Sequence, residues 1–521
     1  MKCLYTFLAA TALSSALFAQ TPLSAVNGIN WRLLPTWQST GLLDVSTYNS
    51  AGSPLTEGIS TGVLKMDNGS FIATVNGRDG SELIKLNKDL TTQWLNDIGG
   101  IPLAIGMFNG KILIITTTDF SYWKGPANHY AGVLADPKTG QILTKKELFA
   151  GDEDYYQQPV FLIAPDGSSF KMAVRKSSFT RGAHNPFISD SKVADGYYNT
   201  TSFSLIEFDK DLNTKSTVTP KLEDGYFMGG TTNKNGDVFF MTDVSQGFIR
   251  IARYLPGQTT PVKTIQQSVD INDDVIKNLK NFYLFTSKDD PLVIFLAGTF
   301  ENANKDYELV VGKFNFKDGT VKSSSQVMDK DYVKGIEKSY VPFSKKFNSL
   351  DLGPLKELKI KNVLEDNGRL IVALSSFSTR SSNNTLGNST VTSETVIGYD
   401  LLVDIFDNQV NMQYQQVIPR SYSTKQAARL GIGMHVKDNV LYLIANNNKG
   451  LLGFKALYSQ IDLKTGAITN IAGIEKGDIS KLFGIDPYAT FWFDDKFALS
   501  YMEDKEWYHN SEDAHLQLLS Y

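Results

Sequence analysis

The chain has 521 residues, 51 basic against 55 acidic side chains, a formal net charge of -4 and a single cysteine. With charge so nearly balanced and no block of Lys and Arg to follow a phosphate backbone, nucleic acid is not an expected partner. The one thiol, Cys3, lies within the first nineteen residues, which excludes disulfides, thiolate metal centres and cysteine nucleophiles from the remainder.

Residues 1–19 carry Lys2, an apolar run over 4–18, and Ala19 before Gln20, the pattern of a secretory signal peptide. The mature chain is therefore expected to be 20–521 and to work outside the cytoplasm, in the periplasm, at the cell surface or extracellularly. No later stretch approaches the roughly 18 to 20 apolar residues that span a bilayer, so no transmembrane segment is expected in the mature chain.

From residue 62 onward one grammar repeats. Asp67-Asn68-Gly69, Asn109-Gly110, Asp166-Gly167, Asn235-Gly236 and Asp366-Asn367-Gly368 each separate two apolar runs, with weaker copies at Asp289-Asp290, Asp438-Asn439 and Asp494-Asp495. Asn-Gly and Asp-Gly accept the positive φ of tight hairpin turns, so each copy predicts two adjacent antiparallel strands. A second turn follows each of the first seven: Asn87-Lys88-Asp89, Asp136 to Gly140, Asp209-Lys210-Asp211, Pro256-Gly257, Lys317-Asp318-Gly319, Asp407-Asn408 and Leu463 to Gly466. Each unit thus has four strands. Repeats of roughly 40 to 80 residues with this grammar are the blades of a β-propeller.

The expected fold is all-β: an eight-bladed β-propeller of four-stranded antiparallel blades, or seven blades if Asp289-Asp290 is not a hairpin turn. No Pro-rich or Ser/Gly-rich linker divides it, so 20–521 is expected to be one domain. The last unit lacks its outer strand. Residues 29–40, unpartnered before the first unit, are expected to supply that strand and close the ring.

Because strand direction alternates, the tight turns share one face, and the other face receives the second-to-third-strand connections and the crossovers between blades. The long segments 119–129, 176–201, 300–306, 376–394, 446–455 and 503–513, with crossovers 150–158, 269–280, 328–353 and 419–430, all fall on that second face. Loops on a rigid scaffold carry most binding residues, so function is expected there. Brief helices are expected over 273–279 and 423–428, each opened by a capping residue.

Second strands end in Asn76, Asp119, Arg175, Asp243, Ser375, Asn446 and Glu503, a ring of polar side chains at the mouth of the channel. Asp119, Asp243 and Glu503 are the candidate acid, base or cation ligands if the protein is a carbohydrate-active enzyme. The long loops also carry Tyr122, Trp123, Lys124, Arg181, His184, Tyr197, Arg380, Arg420, Trp507 and Tyr508. Aromatic rings offer stacking surfaces and arginines suit anionic groups, so these, with Arg175, are the candidate ligand-binding residues.

The favoured reading is a non-catalytic exported binder of a small ligand, glycan or protein. The alternatives are the carbohydrate enzyme and a protein-interaction scaffold. No pair among His129, His184, His435, His509 and His515 has metal-ligand spacing, so no metal site is expected. Gly58-Ile59-Ser60-Thr61-Gly62 has the Gly-x-Ser-x-Gly spacing, but it runs into a strand and an Asn-Gly turn where a nucleophile elbow needs a helix. The acidic run 270–274 lacks the glycine and terminal glutamate of a calcium loop.

The turns Asp136-Pro137-Lys138-Thr139-Gly140 and Asp462-Leu463-Lys464-Thr465-Gly466 resemble the Asp-x-x-Thr-Gly turn of quinoprotein-like propeller repeats. That resemblance implies the fold. It does not extend to the quinone, because the late-blade tryptophan recurs only as Trp94 and the vicinal cysteines are missing; no cofactor is expected. Gly99-Gly100 and Gly229-Gly230 resemble kelch repeats in two units. The leader followed by a long propeller is similar in plan to exported ligand-capture propellers of Bacteroidota, which implies an outer-membrane protein as a candidate partner.

Overall fold

The computed structural model describes residues 25–29, 63–76, 81–117, 129–151, 159–177, 200–222, 227–244, 247–269, 279–343, 350–355, 358–386, 389–424, 431–447, 456–473, 482–503 and 514–521. They form eight antiparallel sheets in succession, each built on four strands, which is an eight-bladed β-propeller. Blades 1 to 7 span 63–97, 101–150, 160–218, 227–268, 279–328, 359–418 and 432–473, and blade 8 combines 482–520 with the N-terminal strand. The turn after Thr286 is a genuine hairpin, with Ser287 N–H donating to Val293 O at 2.9 Å, which decides for eight blades over seven.

The chemistry of the hairpin turns is the one read from sequence. Asn109 and Gly110 adopt φ of 47° and 72°, Asn367 and Gly368 50° and 75°, and Asp438 and Asn439 52° and 60°. Second strands are sandwiched between neighbouring blades and are buried on both faces, as in Lys111–Thr117, where Ile112 to Ile115 are all inaccessible. Outer strands alternate instead, as in Ile142–Ala150, since only one of their faces packs inward.

By internal contacts the chain divides into two compact units. One holds blades 1 to 5. Its core runs between successive blades: Ile72, Leu83 and Ile98 against Ile105 and Val133, then Phe108 and Leu134 against Phe170 and Leu212, then Phe203 against Phe227 and Phe240. The last three rings lie 5.0 to 5.6 Å apart, mostly edge to face, a favoured aromatic geometry.

Lysines add a second tie on the tight-turn face. Lys85 Nζ donates to Pro137 O at 2.8 Å, Lys171 Nζ to Gly236 O at 2.9 Å and Lys263 Nζ to Phe316 O at 3.1 Å, each reaching a turn of the following blade. Burial pulls the Lys171 ammonium below the usual lysine range, with Glu207 opposing that shift. Two turns seat a leucine where glycine would be expected. Leu90 and Leu212 hold φ of 66° and 61° with their side chains buried. The left-handed conformation costs roughly 1–2 kcal/mol, and burying a leucine contributes about 1.5–3 kcal/mol, so burial wins.

The other unit holds blades 6 to 8, the N-terminal strand and helix α1 (Lys330–Ser339). Ala25–Ile29 pairs antiparallel with Ala514–Ser520 as the outermost strand of blade 8. An N-terminal strand therefore completes the last blade, but it lies upstream of the expected 29–40 segment, of which 30–40 fall outside the described residues. The pairs it makes are with Leu516 to Leu519.

Three further expectations are corrected. Residues 423 and 424 belong to the short strand Tyr422–Thr424, which pairs with the third strand of blade 6, while 425–428 of the expected helix lie outside the described residues. The 300–306 segment is a tight turn, with the Asn302 side chain accepting from the Asn304 and Asp306 amides at 3.0 Å each. Helix α1 occupies the crossover that was expected to be loop. Asp329 caps it, accepting from Tyr332 N–H at 2.8 Å, and Ile336 is its buried residue. The proposed helix at 273–279 lies outside the described residues except for Leu279, which opens a strand.

Candidate functional site

Blade 6 departs most from the repeat. Its second and third strands, Arg369–Leu386 and Ser389–Phe406, have 18 residues each, against 8 and 7 for Lys359–Asp366 and Met412–Ile418 on either side. Register runs unbroken from Phe377↔Gly398 to Leu386↔Ser389, so the segment expected as a loop at 376–394 is a β-hairpin extending from the long-loop end of the blade. Its residues are mainly Ser, Thr and Asn. Arg380 lies on it opposite Thr395 and is exposed.

The root of this hairpin is braced by a buried polar cluster. Arg420, 1% exposed, donates its backbone N–H to Asp400 Oδ1 at 2.7 Å, Nε to Tyr399 O at 3.1 Å and one Nη to Ser375 Oγ at 2.8 Å. Asp400 also accepts from Asp351 N–H at 2.6 Å, and Ser376 Oγ donates to Leu352 O. Tyr399 Oη and Ser378 Oγ stand 2.9 Å apart across the two long strands. Burial pushes the Asp400 carboxyl up to about 7, opposed by the amides of Asp351 and Arg420 and by the guanidinium. The cluster's contacts run largely to backbone atoms, so chemically it positions chain segments.

The same strand holds a second buried acid. Asp404 is inaccessible; its Oδ1 accepts from Gln415 Nε2 at 2.8 Å, and its Oδ2 is buried with no hydrogen-bond partner among the described residues. Burial pushes this carboxyl up to about 7 as well, with the Gln415 hydrogen bond opposing. Neither Asp400 nor Asp404 is among the candidates drawn from sequence. The available signal is an acid inside the apolar run Leu401 to Phe406.

Of the candidates drawn from sequence, Arg175 lies within the second strand of blade 3, two residues before its end at Ser177, is buried, and has its guanidinium carbon 5.8 Å from the Phe227 ring centroid. Asn446, at the matching position in blade 7, is inaccessible and joins blade 7 to blade 8: its Nδ2 donates to Ile485 O at 2.8 Å and its Oδ1 accepts from Ile485 N–H at 2.7 Å. Asp243 and Glu503 lie on the second strands of blades 4 and 8, paired with Ile249 and Leu482. Asp119, Tyr122, Trp123, Lys124, Arg181, His184, Tyr197, Trp507 and Tyr508 lie outside the described residues. Among the described residues no three of His, Cys, Asp and Glu gather as a metal site. His435 stacks on Trp492 at 5.2 Å, and His129 stands 3.6 Å from Glu147 at the surface.

No protein-family model matches the chain. No curated protein matches it in sequence. Solved structures similar to it include BamB from Moraxella catarrhalis, with 10% identity, 96% of this chain and 100% of that one covered, and a TM-score of 0.41. The WD40 domain of SCAP from fission yeast has 8% identity, coverage of 90% and 97%, and a TM-score of 0.41. The β-propeller domain of the Trilobed protease from Pyrococcus furiosus has 11% identity, coverage of 79% and 91%, and a TM-score of 0.32. The propeller assignment itself rests on the strand pairing above. No helix among the described residues is long and apolar enough to cross a membrane.

Proposed function

We propose that this protein is an exported, non-catalytic β-propeller that binds a small ligand, a glycan or a protein on its long-loop face, with the blade 6 hairpin as a principal contact element. The observation that carries this reading is the length of that hairpin: two 18-residue strands between neighbours of 8 and 7. Ordering the extension costs about 1–2 kcal/mol per residue in backbone entropy, and its Ser/Thr/Asn composition offers little apolar surface in return. A polar strand pair held out beyond its blade is suited to hydrogen bonding with a ligand. Arg380 adds a charge that pairs with anionic groups, and Tyr122, Trp123, Tyr197, Trp507 and Tyr508 are the aromatic residues that the sequence alone assigns to the long connections. The apolar leader at 1–19 supports export, and an outer-membrane protein is among the partners this reading admits.

The test is a variant in which Ser378 is joined to Ile397, a register pair, through an Asn-Gly turn. Both proteins are screened by thermal shift against glycans, ferric chelates and divalent metals, and by crosslinking at the surface of the producing cell. The expected result is a ligand or partner engaged by the full protein and lost on shortening, with the unliganded melting temperature kept. Equal binding by both proteins rules the hairpin out as the contact, and steady turnover of a glycan rules out the non-catalytic reading. N-terminal sequencing of the exported protein should begin at Gln20.

A further inference from the structure

Four Asn-Gly pairs stand at described hairpin turns: Asn68-Gly69, Asn109-Gly110, Asn235-Gly236 and Asn367-Gly368. Each sets a glycine nitrogen beside a side-chain amide carbon, and glycine has no Cβ to block their approach. The four are not equivalent. Gly69 N–H donates to Met66 O at 2.8 Å and Gly236 N–H to Asn233 O at 3.0 Å, so in blades 1 and 4 that nitrogen is spent in closing the turn. In blades 2 and 6 the pair is the whole turn, with Phe108 paired to Lys111, Asp366 paired to Arg369, and both asparagines left-handed. Such a turn is closed by the residue after the glycine, which leaves the glycine amide unused. Neither Gly110 nor Gly368 N–H has an acceptor among the described residues.

The surroundings separate these last two. Asn367 donates Nδ2 to Asp366 Oδ1 at 3.1 Å, and Arg369 holds both Asp366 Oδ2 and Asn439 Oδ1, so the asparagine is anchored with a carboxylate beside its amide. The Asn109 side chain makes no hydrogen bond among the described residues. Asn109 and Gly110 are both exposed, whereas Gly69, Gly236 and Gly368 are partly or fully buried. A Cβ added to Gly110 would meet nothing within 4 Å, while one on Gly69 would strike Lys88 and one on Gly236 would touch Lys171, Pro256 and Ser169.

We propose that Asn109 is a site of spontaneous modification, at which the chain converts its own asparagine to aspartate and isoaspartate. Gly110 N gives its proton to hydroxide and attacks Asn109 Cγ. The N–Cγ bond forms, the Cγ–Nδ2 bond breaks, and the side-chain nitrogen takes a proton from water and leaves as ammonia. Water then opens the five-membered imide. Addition at Cγ restores the original backbone with aspartate, and addition at the Asn109 backbone carbonyl carbon leaves the chain running through Cγ as isoaspartate. Either product adds one negative charge to the tight-turn face. The isoaspartyl link also adds a methylene to a two-residue turn, which disturbs the Phe108–Lys111 pair and the bond from Asn109 N–H to Gly167 O, 2.8 Å, that ties blade 2 to blade 3.

Peptide mapping of the full protein, aged folded in mildly alkaline buffer, tests the site by the mass gained on exchange of amide for acid, with electron-transfer fragmentation to distinguish isoaspartate. Asn109 should convert at least about fivefold faster than Asn68 or Asn235, the factor set by freeing one turn hydrogen bond, with Asn367 between them. In urea the four rates should converge, because each asparagine precedes a glycine and no turn remains. Folded-state rates at Asn68 or Asn235 that equal the rate at Asn109 overturn the proposal. So does an Asn109 that stays intact in the folded protein while the unfolded chain converts, and so does a preference for Asn109 that persists undiminished in urea.

Discussion

Arg420 holds Asp400 by its backbone amide, at 2.7 Å, while its guanidinium turns to the Tyr399 carbonyl and the Ser375 hydroxyl. One residue of the crossover thus fixes both long strands of blade 6 where their hairpin leaves the blade. Arg420→Ala leaves two buried acceptors without these donors and a cavity the size of a large side chain. The expected loss is about 3–5 kcal/mol by urea denaturation, and Arg420→Lys should lose nearly as much because an ammonium cannot span both acceptors. A loss under about 1 kcal/mol would show that the brace is dispensable.

Asp404 makes stability depend on pH with a definite sign. Its carboxyl lies at about 7 in the folded protein, against an ordinary 3.8. Its contribution is therefore fully present below about pH 4 and is lost as pH rises to about 7. A carboxyl displaced that far contributes at most on the order of 4 kcal/mol. Asp404→Asn should accordingly gain on wild type between pH 4 and pH 8, as read by melting curves across that range. A constant difference between the two proteins contradicts the assignment.

Arg253 and Asp237 form a second buried lock, in blade 4. Arg253 Nε and Nη2 meet Asp237 Oδ2 at 2.9 and 2.7 Å, and the Asn233 side chain adds a contact to the same oxygen at 3.2 Å. Removing one partner strands a desolvated charge, so Arg253→Ala should cost about 3–5 kcal/mol. The double variant Arg253→Met, Asp237→Leu should recover much of that loss. Equilibrium unfolding of the single and double variants measures both.

What can be read from sequence follows from which chemistry is local. The turn at Asn109-Gly110 is legible because left-handed backbone tolerance belongs to the residues themselves, and eight such turns give the blade count. The hairpin at 376–394 reads as loop because it lacks the apolar alternation by which a half-buried strand is recognised. Helix α1 carries a fair signal, Asp329 as cap with Tyr332, Val333 and Ile336 on one face, but it sits in the long crossover 328–353. Arg420 reads as a loop cation suited to a ligand, and nothing in Pro419-Arg420-Ser421 reveals that its guanidinium is enclosed. Asp400 meets the Asp351 amide from 49 residues away, and the Gln415 amide that binds Asp404 also donates to Tyr332, contacts that no local pattern encodes.

The N-terminal strand gives the last prediction. Ala25, Asn27, Gly28 and Ile29 pair with Leu519, Leu518, Gln517 and Leu516, and Leu518 and Leu519 are buried. Deleting 20–30 removes that pairing and exposes an edge in the middle of a hydrophobic segment. About four backbone hydrogen bonds at about 0.5–1.5 kcal/mol each set the expected loss at about 2–6 kcal/mol, seen as a lower melting temperature. The bare edge should also promote association between chains, visible as concentration-dependent sedimentation. A synthetic peptide covering 20–30, added in trans, should restore both properties by refilling the edge. A deletion variant that melts like the parent and stays monomeric would mean that blade 8 stands on three strands alone.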